Sequence, residues 1–393
     1  MSWKSIKLGE LYSVHNGLSK GGKFFGSGYP FLTFSTVFNN YFIPDELNDL
    51  VQSTEKEQVN YSIKRGDVFV TRTSETSDEL GMSCVALKDY PCATYNGFTK
   101  RMRPLQDDII LPEFIGYYMR MPSFRSEFQA FSTMTTRASL RNEDLLGLKI
   151  MLPPIDVQDK IAGILKIYDN LIENNQKQIK LLEEAAQRLY KEWFVDLHFP
   201  GHEDAAIVDG VPEGWQKEKL IDIADVQYGF AFDGSLFNSQ GKGTPIIRIR
   251  NIPSGTTNDY TTQEADEQYI VSNGDIVVGM DGEFHINSWC GKTAYLVQRT
   301  CKFTPKKELM RGWLLQAIYE PIKFFEKTVV GATVAHLGKK HIDTIELLTG
   351  SDDLYVPFKD LFNKRQLLLN QNILLSEVRD RLLPKLMSGE IEV

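Results

Sequence analysis

The sequence predicts a mixed, strand-rich α/β protein built twice: two tandem globular domains, pseudo-twofold related, together with long helices that form an antiparallel coiled coil. Three observations predict it. Landmark residues recur in order along the chain. In each half, short strand-like runs precede a helical stretch. Each half then closes on a leucine-rich segment of helical period.

The repeat carries most of the argument. Trp3 and Gly17 recur as Trp215 and Gly229, both 212 positions later. Pro30 before FLTFSTV answers Pro245 before IIRIRNI, and the Y-x-x-x-x-G-D of Tyr61, Gly66 and Asp67 answers Tyr269, Gly274 and Asp275. Pro122 answers Pro321, Leu140 answers Leu337, and Ile179, Glu183 and Leu189 answer Ile373, Glu377 and Leu383. The offset falls from 212 at the start to 194 at the end, as expected when loops change length after a duplication. Two copies of a unit this long exclude a solenoid, so two equivalent sites for a symmetric ligand or a pair of partners are expected.

Each unit begins with β-rich runs: YPFLTFSTV, DVFVTRT and MSCVAL in one, PIIRIRNI, DIVVGM and TAYLV in the other. They are rich in β-branched and aromatic residues and bounded by Gly, Asn, Asp and Ser. A single amphipathic helix is expected next, over residues 112–131 and again over 307–328, then a polar loop and a last strand, LGLKIML or IDTIELL. From Ile161 to Trp193 apolar positions recur at spacings of four and three: Leu165, Tyr168, Ile172, Asn175, Ile179, Leu182, Ala186, Leu189, Trp193. That is a heptad seam, and Asn175 within it is of the kind that fixes register at some cost in stability. The second copy carries Leu361, Leu368, Leu375 and Leu382 at intervals of seven, with Pro384 and Gly389 expected to end the helix. Two amphipathic helices packed on their own domains are the alternative; the matched pair favours an intramolecular antiparallel coiled coil. Residues 199–215 read as a linker, rich in Gly, Pro and acids and without periodicity. The expected domains are therefore 1–152, a helical spacer 153–198, a linker 199–214, a second domain 215–350 and a second spacer 351–393.

Composition bounds the function. A chain of 393 residues, 42% hydrophobic and 24% charged, has enough apolar content for two or three cores. No apolar run approaches the ~18 residues of a membrane span, and MSWKSIKLGE lacks a signal-peptide core, so a cytoplasmic protein without membrane contact is expected. Four cysteines without a C-x-x-C pair suggest reduced thiols. The net charge of −8 is uneven: residues 1–150 hold 17 Lys/Arg against 17 Asp/Glu, residues 151–214 hold 6 against 12, and residues 215–350 hold 15 against 16. The repeated domains are thus near neutral, with local basic clusters. Such a domain can bind nucleic acid through a patch, with partner subunits adding positive surface.

Catalytic motifs are missing from the sequence. Gly291, Lys292 and Thr293 form a GKT, but Ile286 stands where a P-loop needs glycine. GGKFFGSG (21–28) reads as a turn. His198 and His202 flank Pro200 and Gly201, where no helix presents both to zinc. LPPI (152–155) is not a methyltransferase tetrad. Basic residues with polar neighbours are more informative. Arg72, Lys100, Arg101, Thr136, Arg137 and Arg141 are DNA-binding candidates in the first unit; Arg248, Arg250, Asn251, His336, Lys339 and Lys340 are candidates in the second. Arg pairs bidentately with guanine, and Lys, Thr and backbone amides hold phosphates. For any one residue a solvated surface charge is the simpler reading; the signal is clustering in the equivalent loops TTRASLR (135–141) and ATVAHLGKKH (332–341).

These residues bring out a resemblance to the specificity subunit of type I restriction–modification systems, and it covers essentially the whole chain. TTRASLRNEDLLGLKIMLPPIDVQDKIAGIL (135–165) is similar to that family's loop, strand, LPP and helix signature. GATVAHLGKKHIDTIEL (331–347), DIVVGMDGEFHINSWCGKTAYLVQRTCKF (275–303) and KEWFVDLHFPGHE (191–203) also resemble family segments. Two departures stand out: Val157 in place of an acid before Gln158, and YVPFKDLFNK in place of a full LPP-x-x-x-Q in the second copy. The resemblance implies two target-recognition domains, each reading half of a bipartite double-stranded DNA site, and helical spacers that set the gap. It also implies two methyltransferase subunits bringing S-adenosylmethionine and adenine chemistry, and room for two motor-nuclease subunits using ATP and Mg. No cofactor is expected on this chain, and no catalysis. A self-sufficient restriction or methylation enzyme, or a coiled-coil scaffold indifferent to DNA, are the competing expectations.

Overall fold

A computed structural model of the chain describes residues 3–74, 80–130, 138–328 and 335–393. It divides into two compact units, Met1–Asn170 with Glu377–Val393, and Leu171–Ser376. The 170/171 and 376/377 boundaries fall inside the two long helices, Ile155–Tyr190 and Val356–Met387.

The two units repeat one topology. In the first, Lys4–Lys7 pairs antiparallel with Lys149–Leu152, tying the start of the domain to its end. A four-stranded antiparallel sheet runs Tyr12–Asn16, Thr99–Pro104, Val68–Thr71, Ser83–Val85, and a second small sheet centres on Phe25–Leu32. The second unit repeats this with Gln216–Lys219 on Glu346–Thr349, and with Ala224–Tyr228, Thr300–Pro305, Ile276–Gly279, Ile286–Ser288. Its small sheet is larger, at five strands.

The recurring glycines have a steric cause. Gly17 N–H donates to Thr99 O (3.2 Å) and Gly229 N–H to Thr300 O (3.0 Å). A Cβ on either would lie 2.0 Å from Asn96 O or 2.1 Å from Val297 O, so only glycine lets the strands approach. Gly66 (φ +88°) and Gly274 (φ +87°) hold the left-handed turn before the buried central strand. The following Asp closes that turn in both copies: Lys64 N–H donates to Asp67 and Ser272 N–H to Asp275.

Several expectations are corrected. Each single helix expected over 112–131 and 307–328 is two helices: Pro112–Tyr118 and Pro122–Ala130, then Arg311–Ala317 and Tyr319–Thr328. Pro122 starts a new helix because its ring cannot continue one, and Pro321 sits in a first turn, where its missing N–H costs nothing. Pro384 does not end the last helix, which runs to Met387. Leu383, Leu386 and Met387 are buried in the first unit's core, and that burial offsets the lost hydrogen bond. The supposed linker holds a hairpin, Ile207–Val208 with Val211–Pro212, turned by Asp209 (φ +52°) and Gly210 (φ +75°). Asp-Gly is the residue pair that favours this turn, and Phe199 and Trp215 beside it are buried in the second unit's core. GGKFFGSG supplies a 3₁₀ turn, Gly22–Phe24, and then the start of a strand.

Gln158 of the LPP-x-x-x-Q signature is fully buried. Its Nε2 donates to Ile109 O (3.0 Å) and Pro153 O (2.9 Å), and its Oε1 accepts from Leu111 N–H (2.9 Å). One amide therefore satisfies three backbone groups, joining the loop where the long helix starts to the segment that precedes the helix Pro112–Tyr118. In the second copy, where that Gln is missing, the buried Tyr355 hydroxyl accepts from Gly350 N–H and donates to Gly350 O.

Candidate nucleic-acid interface

Within the second unit the long helices are antiparallel, since Asn175 faces Gln371 and Asn372 while Glu183 faces Arg365. Asn175 is only 7% exposed and donates to Asn372 Oδ1 (3.0 Å) and Gln371 Oε1 (3.4 Å); Asn372 returns a bond to Ile172 O (3.5 Å). An amide ladder at a buried seam position matches side chains in one register only. Polar residues also bind the second helix to its domain. Arg365 donates to Glu183 (2.7 Å), Ser288 Oγ (2.7 Å) and Asn287 Oδ1 (2.9 Å), and the buried Gln366 reaches Trp289 O (2.6 Å).

Of the seam residues, Leu165, Ile179 and Leu368 are buried, and Ile172, Leu182, Leu189, Leu361, Leu375 and Leu382 are half-buried. In the first unit Arg379 donates to Asp169 (2.7 Å) and lies over the Tyr41 ring, and Tyr117 hydroxyl donates to the same carboxylate.

The candidate loops of the first domain meet at one end of its four-stranded sheet. Arg72 follows the central strand; its N–H donates to Phe98 O (3.0 Å) and its carbonyl accepts from Leu140 N–H (2.9 Å). Among the described residues its buried Nε has no hydrogen-bond partner. Lys100, also buried, reaches Asn142 Oδ1. Arg101, next along the strand, faces the other way: Nη1 donates to Ser62 O (2.7 Å) and the guanidinium lies over Tyr95. Arg141 is exposed and chelates Asp144 (2.8 and 3.1 Å). Thr136 and Arg137 lie outside the described residues.

The second domain arranges its equivalents differently. Met280 N–H donates to Arg299 O and Met280 O accepts from Leu337 N–H, the pattern made by Arg72. Arg299 (φ +70°) lies 3.3 Å from Asp281 Oδ2, and His336 Nδ1 lies 2.5 Å from Asp281 Oδ1. Lys339 and Lys340 are exposed on the short helix Lys339–Ile342. Arg248, Arg250 and Asn251 form a separate cluster after the strand Thr244–Ile247. Arg250 chelates Asp259 (2.5 and 3.1 Å), Asn251 donates to the same carboxylate (3.2 Å), and Arg248 lies over Phe237. Burial opposes the Asp259 charge, but these bonds outweigh it and hold the carboxyl below its ordinary range.

Sequence reasoning missed Arg299, Asn16 and Asn142. Only the hydrogen-bond register reveals Arg299, because nothing in QRT marks a left-handed turn residue. Asn142 stood beside the selected Arg141 and could have been included. GKT 291–293 is a turn entering the strand Ala294–Leu296, with Gly291 N–H on Gly255 O. The rings of His198 and His202 come within 5.2 Å, closer than their Pro-Gly spacing suggested; among the described residues no group of three or more His, Cys, Asp or Glu could hold a metal. Among them too, no helix is long and apolar enough to cross a membrane.

Two copies of one strand-rich domain, each leading into a long helix, with polar loops gathered at equivalent sheet ends, have the architecture of a two-part specificity protein. The model of the type I restriction modification DNA specificity domain matches residues 1–184 and 212–348, and the chain belongs to that family. It is 25% identical over 415 residues to the type I restriction enzyme MjaIX specificity subunit of Methanocaldococcus jannaschii, covering 99% of this chain and 93% of that one. It is 23% identical to the HindI specificity subunit of Haemophilus influenzae, over 99% of both chains. Its fold is also that of the type I restriction–modification S subunit from M. genitalium (TM-score 0.56, 16% identity, 98% and 96% of the two chains).

Proposed function

We propose that this specificity subunit reads a bipartite, asymmetric double-stranded DNA site, one half per domain, and takes no chemical step itself. The observation that carries the reading is the duplicated domain with polar and cationic groups at equivalent sheet ends: Arg72, Lys100 and Arg141 in one copy, Arg299, His336 and Lys339 in the other. Two methyltransferase subunits would bring S-adenosylmethionine and methylate adenine flipped from the duplex. Two motor-nuclease subunits would add ATP- and Mg-dependent cleavage, all in the cytoplasm.

The helices act as the ruler in this reading. They hold 36 and 32 residues. At 1.5 Å per residue that is ~48–54 Å, or roughly 14–16 base pairs between half-site centres. The buried Asn175–Asn372 ladder supports a fixed register, as a ruler requires.

The test uses purified chain, alone and with its methyltransferase subunits. Expected are salt-dependent binding to duplex DNA and methyl transfer only when the partners are present. Methylation or nicking by the chain alone would make it an enzyme; duplex binding that ignores salt would remove the DNA-reading role.

A further inference from the structure

At the loop end of the first domain Asn16, Arg72, Lys100, Arg141, Asn142 and Glu143 surround an open pocket of about 480 Å³. Its floor carries two cations, and among the described residues neither Arg72 nor Lys100 makes an ion pair. Lys100 is 5% exposed and, among the described residues, has only the neutral Asn142 amide as a side-chain partner, while the buried Arg72 Nε–H has none. Glu143 stands exposed at the rim, and Asp144 is already chelated by Arg141. Burial first, and the nearby Arg72 charge second, push the Lys100 pKa down, while Asp144 acts the other way. Two like charges taken partly out of water are costly to hold together, and an anion between them would relieve both costs.

Among the described residues the second domain has no such floor. Strand register pairs Asn16 with Lys100 in one copy and Tyr228 with Cys301 in the other, so Cys301 stands where Lys100 does. The matching backbone bonds put Met280 in the place of Arg72. Both replacements are buried and apolar, and the lysine there, Lys339, is exposed at the rim position of Asn142. The fold therefore does not need the two cations; they are particular to the first domain.

We infer that the Arg72–Lys100 pocket is a seat for one DNA phosphate, present in the first recognition domain and missing from the second. Two cations with the amide donors of Asn16 and Asn142 around an open cavity suit a multidentate oxyanion. Arg and Lys can also pair with guanine N7 and O6, so base discrimination is measured beside the salt slope to separate the two uses. The seat rests on the proposed DNA-reading role and adds an asymmetry to it: one half-site is held with more counterion release than the other.

The test uses the full chain with its methyltransferase subunits on a duplex carrying its methylated site, with binding measured between about 50 and 200 mM salt. Each phosphate contact contributes about 0.9 to the log–log salt slope, so losing one contact flattens a fourfold salt titration by ~3.5-fold. Arg72→Met, which copies the second domain's residue, and Lys100→Met should each flatten the titration by up to that factor. The double variant should not exceed it, because both side chains hold the same phosphate; Arg72→Lys should restore part of the slope. Neutral methylphosphonates scanned through the duplex need no variant: replacing one phosphate in one half-site should flatten the wild-type slope and leave the double variant unaffected. Equal slopes for wild type and double variant would overturn the seat. So would variants that lose base discrimination at unchanged slope, or a scan in which no single phosphate responds differently in wild type and variant. Failure of the wild-type complex to bind the duplex at all would instead count against the DNA-reading role.

Discussion

Asn175 offers the sharpest test of how the helix register is set. Its amide is nearly buried and bonded to Asn372 and Gln371, while Asn372 also bonds Ile172 O. Asn175→Leu would put an apolar side chain against an amide that has lost its partner. That unsatisfied group costs about 1–3 kcal/mol, and the gain from burying one leucine at the seam is of similar size, about 1.5–3 kcal/mol. The two terms nearly cancel, so a single substitution should shift stability by no more than about 2 kcal/mol in either direction, and Asn372→Leu should behave alike. The double variant leaves no stranded amide between the two positions and gains both burials, so it should exceed wild type in stability. The coupling in the double-mutant cycle should be about 1–3 kcal/mol. Urea denaturation of the full chain, followed by helix ellipticity, measures all four corners. Additive singles, with coupling inside about 0.3 kcal/mol, would refute the amide ladder as a register device. If the ladder sets register, the stabler double variant should also tolerate a wider range of half-site gaps in DNA binding.

Other outcomes are as specific. Removing one heptad from within residues 165–193, with a matching deletion in the facing helix, shortens each helix by about 10 Å, so the preferred gap should contract by ~3 base pairs; an unchanged gap in methylation assays would remove the ruler. Native alkylation followed by mass spectrometry should label Cys92, which is exposed, well before the other thiols. Burial pushes Cys84 up to about 12 and raises Cys290 and Cys301, and thiolate is the reactive form. Burial raises the Asp259 and Glu326 pKa values, but hydrogen bonds from Arg250 and Asn251, and from Lys323 and Phe284 N–H, outweigh it and hold both carboxyls below their ordinary values. Their folded values are depressed, so their stabilisation is complete above the unfolded values and is lost as pH falls through the folded ones. Thermal melts should decline below about pH 4.5 and decline less steeply in Asp259→Asn, a variant already without that contribution.

The architecture was legible because it was written twice. Gly17 and Gly229 could be matched by eye, and the structure gives the reason: both meet a carbonyl where no Cβ fits. The seam was legible for the same kind of reason, since a 3.5-residue period survives in sequence. What misled was local and context-dependent. Pro384 is a helix breaker by propensity, yet burial of Leu383, Leu386 and Met387 carries the helix past it. The Asp209–Gly210 turn was hidden in an acidic stretch that read as a linker. The candidate site was legible as loops but not as pockets. Arg101 and Lys100 look interchangeable in FTKRMR, and strand alternation sends one to Ser62 and Tyr95 and the other to the pocket. That Met280 and Cys301 replace Arg72 and Lys100 cannot be read without the hydrogen-bond register.

Methylome sequencing of a host carrying this gene with its methyltransferase partner tests the central claim most directly. The expected result is methyladenine in a new two-part motif, its unlike halves separated by a fixed unspecified gap, with exchange of residues 215–350 for another family member's altering one half alone. A continuous motif, or a domain exchange that alters both halves together, would contradict two independent readers on one chain.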